Sequence, residues 1–418
     1  MKISLTNIGK VKKADIEING ITVIAGENNT GKSTVGKALW SIFNSFHNIE
    51  NELKKERKDI IFSKIEEFFR EEYPESYLKA RRKLRTTSLT REILKLIGAE
   101  RTEEIEKSDI YSILVANFNK ELENFEIFVK LVDDIYEILN LENDYIIKNH
   151  FQNILLSEFN NQVNNLRNQE EGSIELTIKN KKISTKLFLQ KVIFLNNDDF
   201  FNLHTRAIYI DDPSIIDEFH SFIWEKNHKS EIERLISQVT VKKILENALF
   251  EKRLERINEK LEEIFKNEIS FNFQEGTVKL KGVQEEMHIR NLSTGLKTFA
   301  ILKNLIQNGA LEKNGTLILD EPEIHLHPEW QLIFAEIIVL LHKELGLHIL
   351  LATHSPYFLR AIQVFTKKYE VVDKCKYYLA ENIEDLSIIK DTTSEIETIF
   401  QKLASPFQKL EDIAYEEY

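Results

Sequence analysis

The stretch Gly26-Glu27-Asn28-Asn29-Thr30-Gly31-Lys32-Ser33-Thr34 matches the pattern G-x-x-x-x-G-K-[ST] at every fixed position. In such a loop the glycines let the backbone bend until successive N–H groups converge on phosphate oxygens. The lysine adds positive charge at the β/γ oxygens, and the hydroxyl after it can ligate Mg²⁺. Lys32 and Ser33 are therefore the candidate phosphate and metal residues, and Gly26, Asn28, Asn29, Thr30, Gly31 and Thr34 complete the cradle. The flanks agree with this. Asn19-Gly20 reads as a turn and Ile21 to Ala25 as a buried strand; Val35, Ala38, Leu39, Ile42 and Phe46 form an apolar stripe on a following helix. That helix would point its N-terminus at the phosphates.

The chain has 418 residues, too many for one ordinary core, so two or more lobes are expected, and 42% hydrophobic residues suffice to fill them. A net charge of −12 argues against a surface coated for nucleic acid, while leaving room for a local basic patch. No uninterrupted apolar run approaches a membrane span and the N-terminus has no h-region, so a cytoplasmic protein without a membrane partner is expected. Cys375, the single cysteine, can form neither an intrachain disulfide nor a cysteine metal site, which suits a reducing compartment. With 13 glycines and 6 prolines, long regular elements and few loops are expected, and no internal repeat is evident.

Residues 1–47 read as strands entering the phosphate loop and its helix. Residues 48–169 change to charged residues interleaved with bulky apolar ones, among them Ile65, Phe68, Phe69, Phe128, Val132 and Ile135 at helical spacing, and read as a helical insertion. Inside it Lys79, Arg81, Arg82, Lys83 and Arg85 form a basic cluster; the acidic residues around it favour a solvated helix face over a phosphate contact. Strands return within 170–213, a helical arm is expected at 214–267 with Leu254, Ile257, Leu261 and Ile264 as its stripe, and 268–418 completes the first lobe.

The second half carries further motifs. Asn291-Leu292-Ser293-Thr294-Gly295-Leu296-Lys297 opens an amphipathic helix, and a serine hydroxyl and a glycine N–H at a helix start suit an anionic phosphate, although the same residues make an ordinary cap. Gly315 to Leu319 is an apolar strand ending in Asp320-Glu321-Pro322, a Walker B pattern: Asp320 would hold Mg²⁺ and Glu321 would polarise the attacking water. After a crossover helix starting at Pro328, the strand Leu347 to Ala352 delivers Thr353-His354-Ser355-Pro356, so His354 reaches the same edge and can meet the γ-phosphate or the water. His325 and His327, two apart, share no helix face and read as loop hydrogen-bonding residues rather than metal ligands.

Together, Gly26 to Thr34, Leu292 to Gly295, Leu317 to Pro322 with the following Glu-Ile-His-Leu-His-Pro, and Thr353 to Pro356 resemble the ABC-type ATPases of the overcoming-lysogenisation-defect (OLD), RecF and SMC group. The resemblance implies an α/β fold: a P-loop ABC-type ATPase head with a mixed β-sheet and a large α-helical insertion. It implies ATP and Mg²⁺ held between two heads of a homodimer or higher homo-oligomer. Lys32, Ser33, Asp320, Glu321 and His354 would then act in cis, and Ser293 and Gly295 in trans, with the loop after Asp320-Glu321 at the head interface. The glutamine that senses the metal in this group is not identified by the sequence; Gln190 and the Asn196-Asn197 loop are candidates.

The sequence departs from SMC proteins in lacking long heptad arms, and from OLD nucleases because the residues after His354 leave no room for an acidic nuclease domain. In this it resembles the ATPase components of two-gene bacterial antiphage systems such as Septu and PARIS. That resemblance implies a separately encoded effector, a nuclease, as partner. Two other readings stay open: a RecF-like repair ATPase whose basic cluster tracks duplex DNA, and an ATP-binding module with negligible hydrolysis.

Overall fold

The computed structural model describes residues 1–72, 79–97, 105–117, 125–167, 170–197, 201–217, 226–237, 251–266, 269–273 and 275–416. They form two compact units, Met1–His47 with Phe151–Tyr418, and Asn48–His150.

The first unit is built on strands β1 (Lys2–Ile8), β2 (Val11–Glu17), β3 (Ile21–Gly26), β4 (Gly172–Ile178), β5 (Lys181–Phe188), β6 (Lys191–Asn197) and β7 (Ala207–Ile210). After them come β8 (Ile269–Asn272), β9 (Thr277–Leu280), β10 (Met287–His288), β11 (Thr316–Asp320), β12 (His348–Thr353), β13 (Cys375–Ile383) and β14 (Leu386–Asp391). Eleven strands make one mixed sheet in the order β6-β5-β4-β1-β2-β14-β13-β3-β12-β11-β7, and β10-β9-β8 make a small antiparallel one. The sequence pattern explains the division of the large sheet. β1, β2, β4 and β5 alternate buried and exposed residues and pair antiparallel, as strands with one covered face do. The residues of β3, β7 and β11, and nearly all of those of β12, are buried, and these strands pair in parallel.

Helices cover that parallel part. α1 (Lys32–Phe46) follows β3 and buries the stripe Val35, Ala38, Leu39, Ile42 and Phe46. The second unit contains α2 (Ile49–Glu72), α3 (Lys79–Leu94), α4 (Lys107–Asn117) and α5 (Phe125–Asn140) around a core of its own, in which Ile61, Ile65, Phe68, Phe69, Phe128 and Ile135 are buried. Lys64 Nζ lies 2.8 Å from an Asp134 carboxylate oxygen, joining α2 to α5. The basic cluster falls on the backbone of α3, but its side chains lie outside the described residues.

Two boundaries differ from the sequence expectation. The helical unit ends at His150 rather than at 169. α6 (Asn143–Glu158) carries Phe151 against Phe46 at a ring separation of 6.0 Å, and the chain after it is tied to the sheet: Gly9 N donates to Val163 O at 2.7 Å and Asn165 Nδ2 to Gly9 O at 2.7 Å. In the stretch 214–267, the described helices α7 (His228–Ser237) and α8 (Glu255–Phe265) are no free arm. Ile232, Leu235, Ile257 and Leu261 are buried in the same core as β3, β11 and β12. The stripe read from the sequence is real, and it faces the head.

Four more described helices belong to this unit: α9 (Thr294–Gln307), α10 (Pro328–Leu345) crossing from β11 to β12, α11 (Pro356–Lys368) and α12 (Glu397–Glu416). Phe299 of α9 packs edge-on against Trp330 and Phe334 of α10, at ring separations of 6.0 and 5.4 Å. Phe299 is fully buried, so Phe299→Ala should cost about 3–5 kcal/mol. Urea unfolding reads this as a lower midpoint with an unchanged slope; a loss below about 1 kcal/mol would mean that this ring cluster does not hold α9 to α10.

Candidate phosphate site

Four parallel strands end side by side. β3 runs into the phosphate loop, β12 into Thr353-His354, β11 into Asp320-Glu321 and β7 into Asp211. The register sets Ala25 opposite Thr353, Ala352 opposite Asp320, and Leu319 opposite Ile210. Ligands of open α/β sheets bind at this edge.

The loop is shaped by its own sequence. Gly31, the N-cap of α1, has φ 78°, and a Cβ there would lie 2.6 Å from Val11 Cγ2, so the position excludes side chains on two grounds. Asn29 also has positive φ, which asparagine tolerates. Lys10 Nζ donates to Asn29 O at 2.7 Å and Thr30 Oγ1 to Glu27 O at 2.8 Å, holding the bend. Lys32 is buried; its Nζ donates to Gly26 O at 3.1 Å and Glu27 O at 2.9 Å, and lies 3.3 Å from Glu321 Oε1. Thr34 is half-buried behind the loop, its hydroxyl against Gly9.

An open cavity of about 300 Å³ lies before these strand ends, lined by Asn28, Asn29 and Ser33 from the loop and by Asp211, Asp320 and Glu321 from the neighbouring strands. Asp320 is 9% exposed. Its Oδ2 accepts from the Tyr209 hydroxyl at 2.9 Å, while its Oδ1 is buried with no hydrogen-bond partner. Burial pushes its carboxyl above the usual range, against the lowering effect of the Ser33 and Tyr209 hydroxyls. An orphaned carboxylate oxygen beside a serine hydroxyl and open space fits a hard divalent cation, which Mg²⁺ sites commonly hold with one or two protein oxygens, substrate phosphates and water. Among the described residues no group of three or more His, Cys, Asp or Glu forms a ready-made metal cage, and His325 and His327 make none; His327 instead caps α10, its Nδ1 accepting from Glu329 N at 3.4 Å.

Glu321 sits in the left-handed region, φ 49°, a strained conformation for glutamate, and its N–H donates to Ala352 O at 2.9 Å. The turn brings Oε1 between Lys32 Nζ and His354 Nδ1, 3.3 Å from each. Beneath lies Glu323, 2% exposed, whose Oε1 accepts the Thr353 hydroxyl and, at 3.4 Å, His354 N. Burial raises this carboxyl as well, opposed by the Thr353 hydroxyl.

The structure thus brings together Gly26 to Thr34, Asp320, Glu321 and His354. Ser293 and Gly295 do not line the cavity. Ser293 is exposed as the N-cap of α9 without a side-chain cap bond, and a Cβ on Gly295 would lie 2.8 Å from His325 O, so this helix start packs on the loop after Glu321. Gln190 does not line the cavity: its Oε1 accepts from Val163 N at 2.6 Å and Asn164 N at 2.9 Å, and Val163 O in turn accepts from N of Gly9, which lies against Thr34. Asn196 and Asn197 lie on β6 and do not line the cavity either. Neither candidate from the sequence is among the residues lining the cavity; the position beside Asp320 belongs to Asp211.

Sequence reasoning missed Asp211, and a signal for it was present. Ile208-Tyr209-Ile210-Asp211-Asp212-Pro213 copies the apolar-strand, acid-acid-proline pattern of Leu317-Ile318-Leu319-Asp320-Glu321-Pro322. It also missed His228, at the start of α7. The ring is 5% exposed; Nδ1 lies 2.8 Å from Glu158 Oε1, Nε2 lies 2.9 Å from Asp211 Oδ1, off the line of an ideal hydrogen bond, and the ring tilts over Tyr209 at 4.4 Å.

The fold and this edge define a P-loop ATPase head. The chain belongs to the AAA ATPase domain family, which matches residues 1–359. It is 23% identical over 415 residues to Endonuclease GajA of Bacillus cereus (strain HuB5-5), an alignment covering 88% of this chain and 57% of that protein, so the chain spans little more than half the length of this relative. Among solved structures it is similar to an Smc head bound to the C-winged helix domain of ScpA, 13% identical with TM-score 0.40 and coverage of 95% and 98%. It is also similar to the SMC head domain from Thermotoga maritima, 13% identical with TM-score 0.36 and coverage of 93% and 97%. No helix of the described residues is long and apolar enough to cross a membrane.

Burial lowers the pKa of His228, but the Asp211 and Glu158 carboxylates more than reverse this and push it up to about 9. Since the folded value lies above the unfolded one of 6.5, the clamp stabilises the fold fully below that pH, and the contribution is lost as pH rises through about 9. The stability gap between wild type and His228→Gln should therefore be wide near pH 6 and narrow near pH 9.5, read by denaturant unfolding. A gap that stays constant would mean a neutral ring.

Proposed function

We propose that the chain is an Mg²⁺-dependent ATP phosphohydrolase whose heads associate around ATP and which controls a separately encoded effector, a nuclease, in bacterial antiphage defence. The observation that carries the catalytic part is the Glu321 carboxylate, 3.3 Å from both Lys32 Nζ and His354 Nδ1 at the rim of the cavity behind the phosphate loop. In this reading the backbone from Gly26 to Thr34 wraps the phosphates, and Lys32 moves from the loop carbonyls to the β/γ oxygens. Ser33 and Asp320 would hold Mg²⁺, which when bound neutralises charge on the phosphates.

Glu321, freed from Lys32, orients and deprotonates the attacking water. His354, anchored through its N–H to Glu323, contacts the γ-phosphate or that water. Ser293 and Gly295 serve a second chain: Ser293 stands exposed at a helix start outside its own cavity, with Gly295 buried two residues on, and the serine hydroxyl and the N–H groups of that helix start would close over a neighbour's γ-phosphate. The effector and the defence setting rest on the likeness to an endonuclease and on the motif order shared with antiphage ATPases. The cytoplasm is the compartment that fits the single reduced cysteine, Cys375, which is buried.

Lys32→Ala should weaken ATP binding at least about tenfold. Glu321→Gln should keep binding but lose turnover by about 10²–10⁴-fold. With ATP and Mg²⁺, Glu321→Gln should shift from monomer to dimer in light scattering, and Ser293→Arg in the same background should abolish the shift. A Glu321→Gln chain that stays monomeric with saturating ATP would overturn the head-to-head arrangement, and unchanged turnover in Glu321→Gln would remove that residue from catalysis.

A further inference from the structure

The cavity has a third acidic wall that the roles above do not use. Asp211 directly follows β7 while Asp320 ends β11, and the parallel register Ile208–Leu317, Tyr209–Ile318, Ile210–Leu319, carried one residue on, sets the two aspartates at matching positions. Both line the cavity of about 300 Å³. Two carboxylates at adjacent strand ends repel each other, and something must hold the outer one in place.

His228 stands where that support is needed. Its Nε2 lies 2.9 Å from Asp211 Oδ1 and its Nδ1 2.8 Å from Glu158 Oε1, and its backbone N donates to Glu158 Oε2 at 2.9 Å. The same ring covers Tyr209 at 4.4 Å, and the Tyr209 hydroxyl donates to Asp320 Oδ2 at 2.9 Å, leaving Oδ1 of that buried aspartate without a partner. One imidazole thus touches both routes to the acidic strand ends.

We propose that His228, anchored by Glu158, is a positioning residue of the phosphate site, which holds Asp211 beside Asp320 so that the two aspartates together raise affinity for the divalent cation accompanying the nucleotide. This rests on the ATPase reading above and deepens it. Asp211 acts through its charge and the cation's water shell rather than as one member of a carboxylate cage, consistent with the absence of such a cage among the described residues. Burial alone would raise the Asp211 carboxyl, yet the facing His228 ring brings it below the usual carboxylate range, so the wall is anionic at neutral pH.

A simple core ion pair predicts something different, which makes the idea testable. Removing a wall charge should weaken cation-assisted binding while leaving metal-free nucleotide binding unchanged or tighter, because the triphosphate loses a repelling neighbour. Loosening of the core would weaken both. Binding of a fluorescent N-methylanthraniloyl ATP is measured for the full chain in EDTA and along a Mn²⁺ titration, with thermal unfolding as a control on folding.

Asp211→Asn and His228→Gln should each raise half-saturating Mn²⁺ by about three- to tenfold. Their double variant should be no worse than Asp211→Asn alone, since one acts through the other. Glu158→Gln should shift in the same direction by less, and it serves where His228→Gln does not fold. Unchanged Mn²⁺ dependence in Asp211→Asn, equal weakening with and without metal, or additive effects in the double variant would each overturn the proposal. A wild-type chain that binds no nucleotide, or whose binding ignores Mn²⁺, would overturn the ATPase reading along with it.

Discussion

Everything at the candidate site depends on the in-register parallel pairing of β3, β12, β11 and β7. Each strand is short and apolar, and its neighbours and covering helices remove it from water on both faces, so a slip of one residue would expose a buried row and leave ladder groups unpaired. With the register locked, the strand ends have no freedom of their own. Residues from opposite ends of the chain, the loop at 26–34 and the acids at 320–321, meet because their strands lie one apart in the sheet. The helical unit Asn48–His150 interrupts the chain between them and has a core of its own.

That lock is also what sustains the strain at Glu321. A glutamate in the left-handed region costs about 1–2 kcal/mol relative to an ordinary backbone. The cost is offset locally, since its N–H is held by Ala352 O across the β11–β12 boundary and its carboxylate by Lys32 and His354. An ordinary turn would aim the side chain elsewhere. Glu323 performs the matching task one layer down, fixing Thr353 and the His354 N–H from a buried position. The two glutamates therefore hold the β12 end from both sides, and the histidine is placed by contacts to its backbone and to its ring.

The parts of this arrangement legible in the sequence were those where composition and spacing meet at one place. Gly31 could be read because a left-handed, crowded position admits little else, and Val35 to Phe46 because a buried helix face repeats every three or four residues. β11 and β12 could be read as unbroken apolar runs ending in acid and histidine. The tie between β7 and β11 was not legible, since nothing local in Ala207–Ile210 says which strand it joins. His228 and Glu158 were hidden for the same reason: each lies on a different helix, and only the packed head puts them 2.8 Å apart. The limits of the helical unit were misjudged because the sequence character after His150 stays helical, although Phe151 already packs on Phe46. Charge patterning placed the basic cluster on a helix, and α3 includes it.

The balance of charge around the cavity then limits what can enter it. Asp211, Asp320 and Glu321 face the same space as the loop, and Lys32, beside Glu321, is already shared between two carbonyls and that carboxylate. His228 lies behind Asp211, clamped by two carboxylates, so its charge is spent within the wall rather than on a ligand. A triphosphate carries several negative charges, and unit charges about 4 Å apart repel by about 4 kcal/mol at the effective dielectric of a partly exposed site. By this balance of charge an anionic ligand meets more repulsion alone than in company with a cation of high charge, and Oδ1 of Asp320, without a hydrogen-bond partner, is an oxygen suited to such a cation. In the proposed reading, the acids that disfavour a bare nucleotide favour a metal-bound one, and the number of carboxylates at the strand ends would set how strongly the site discriminates between them.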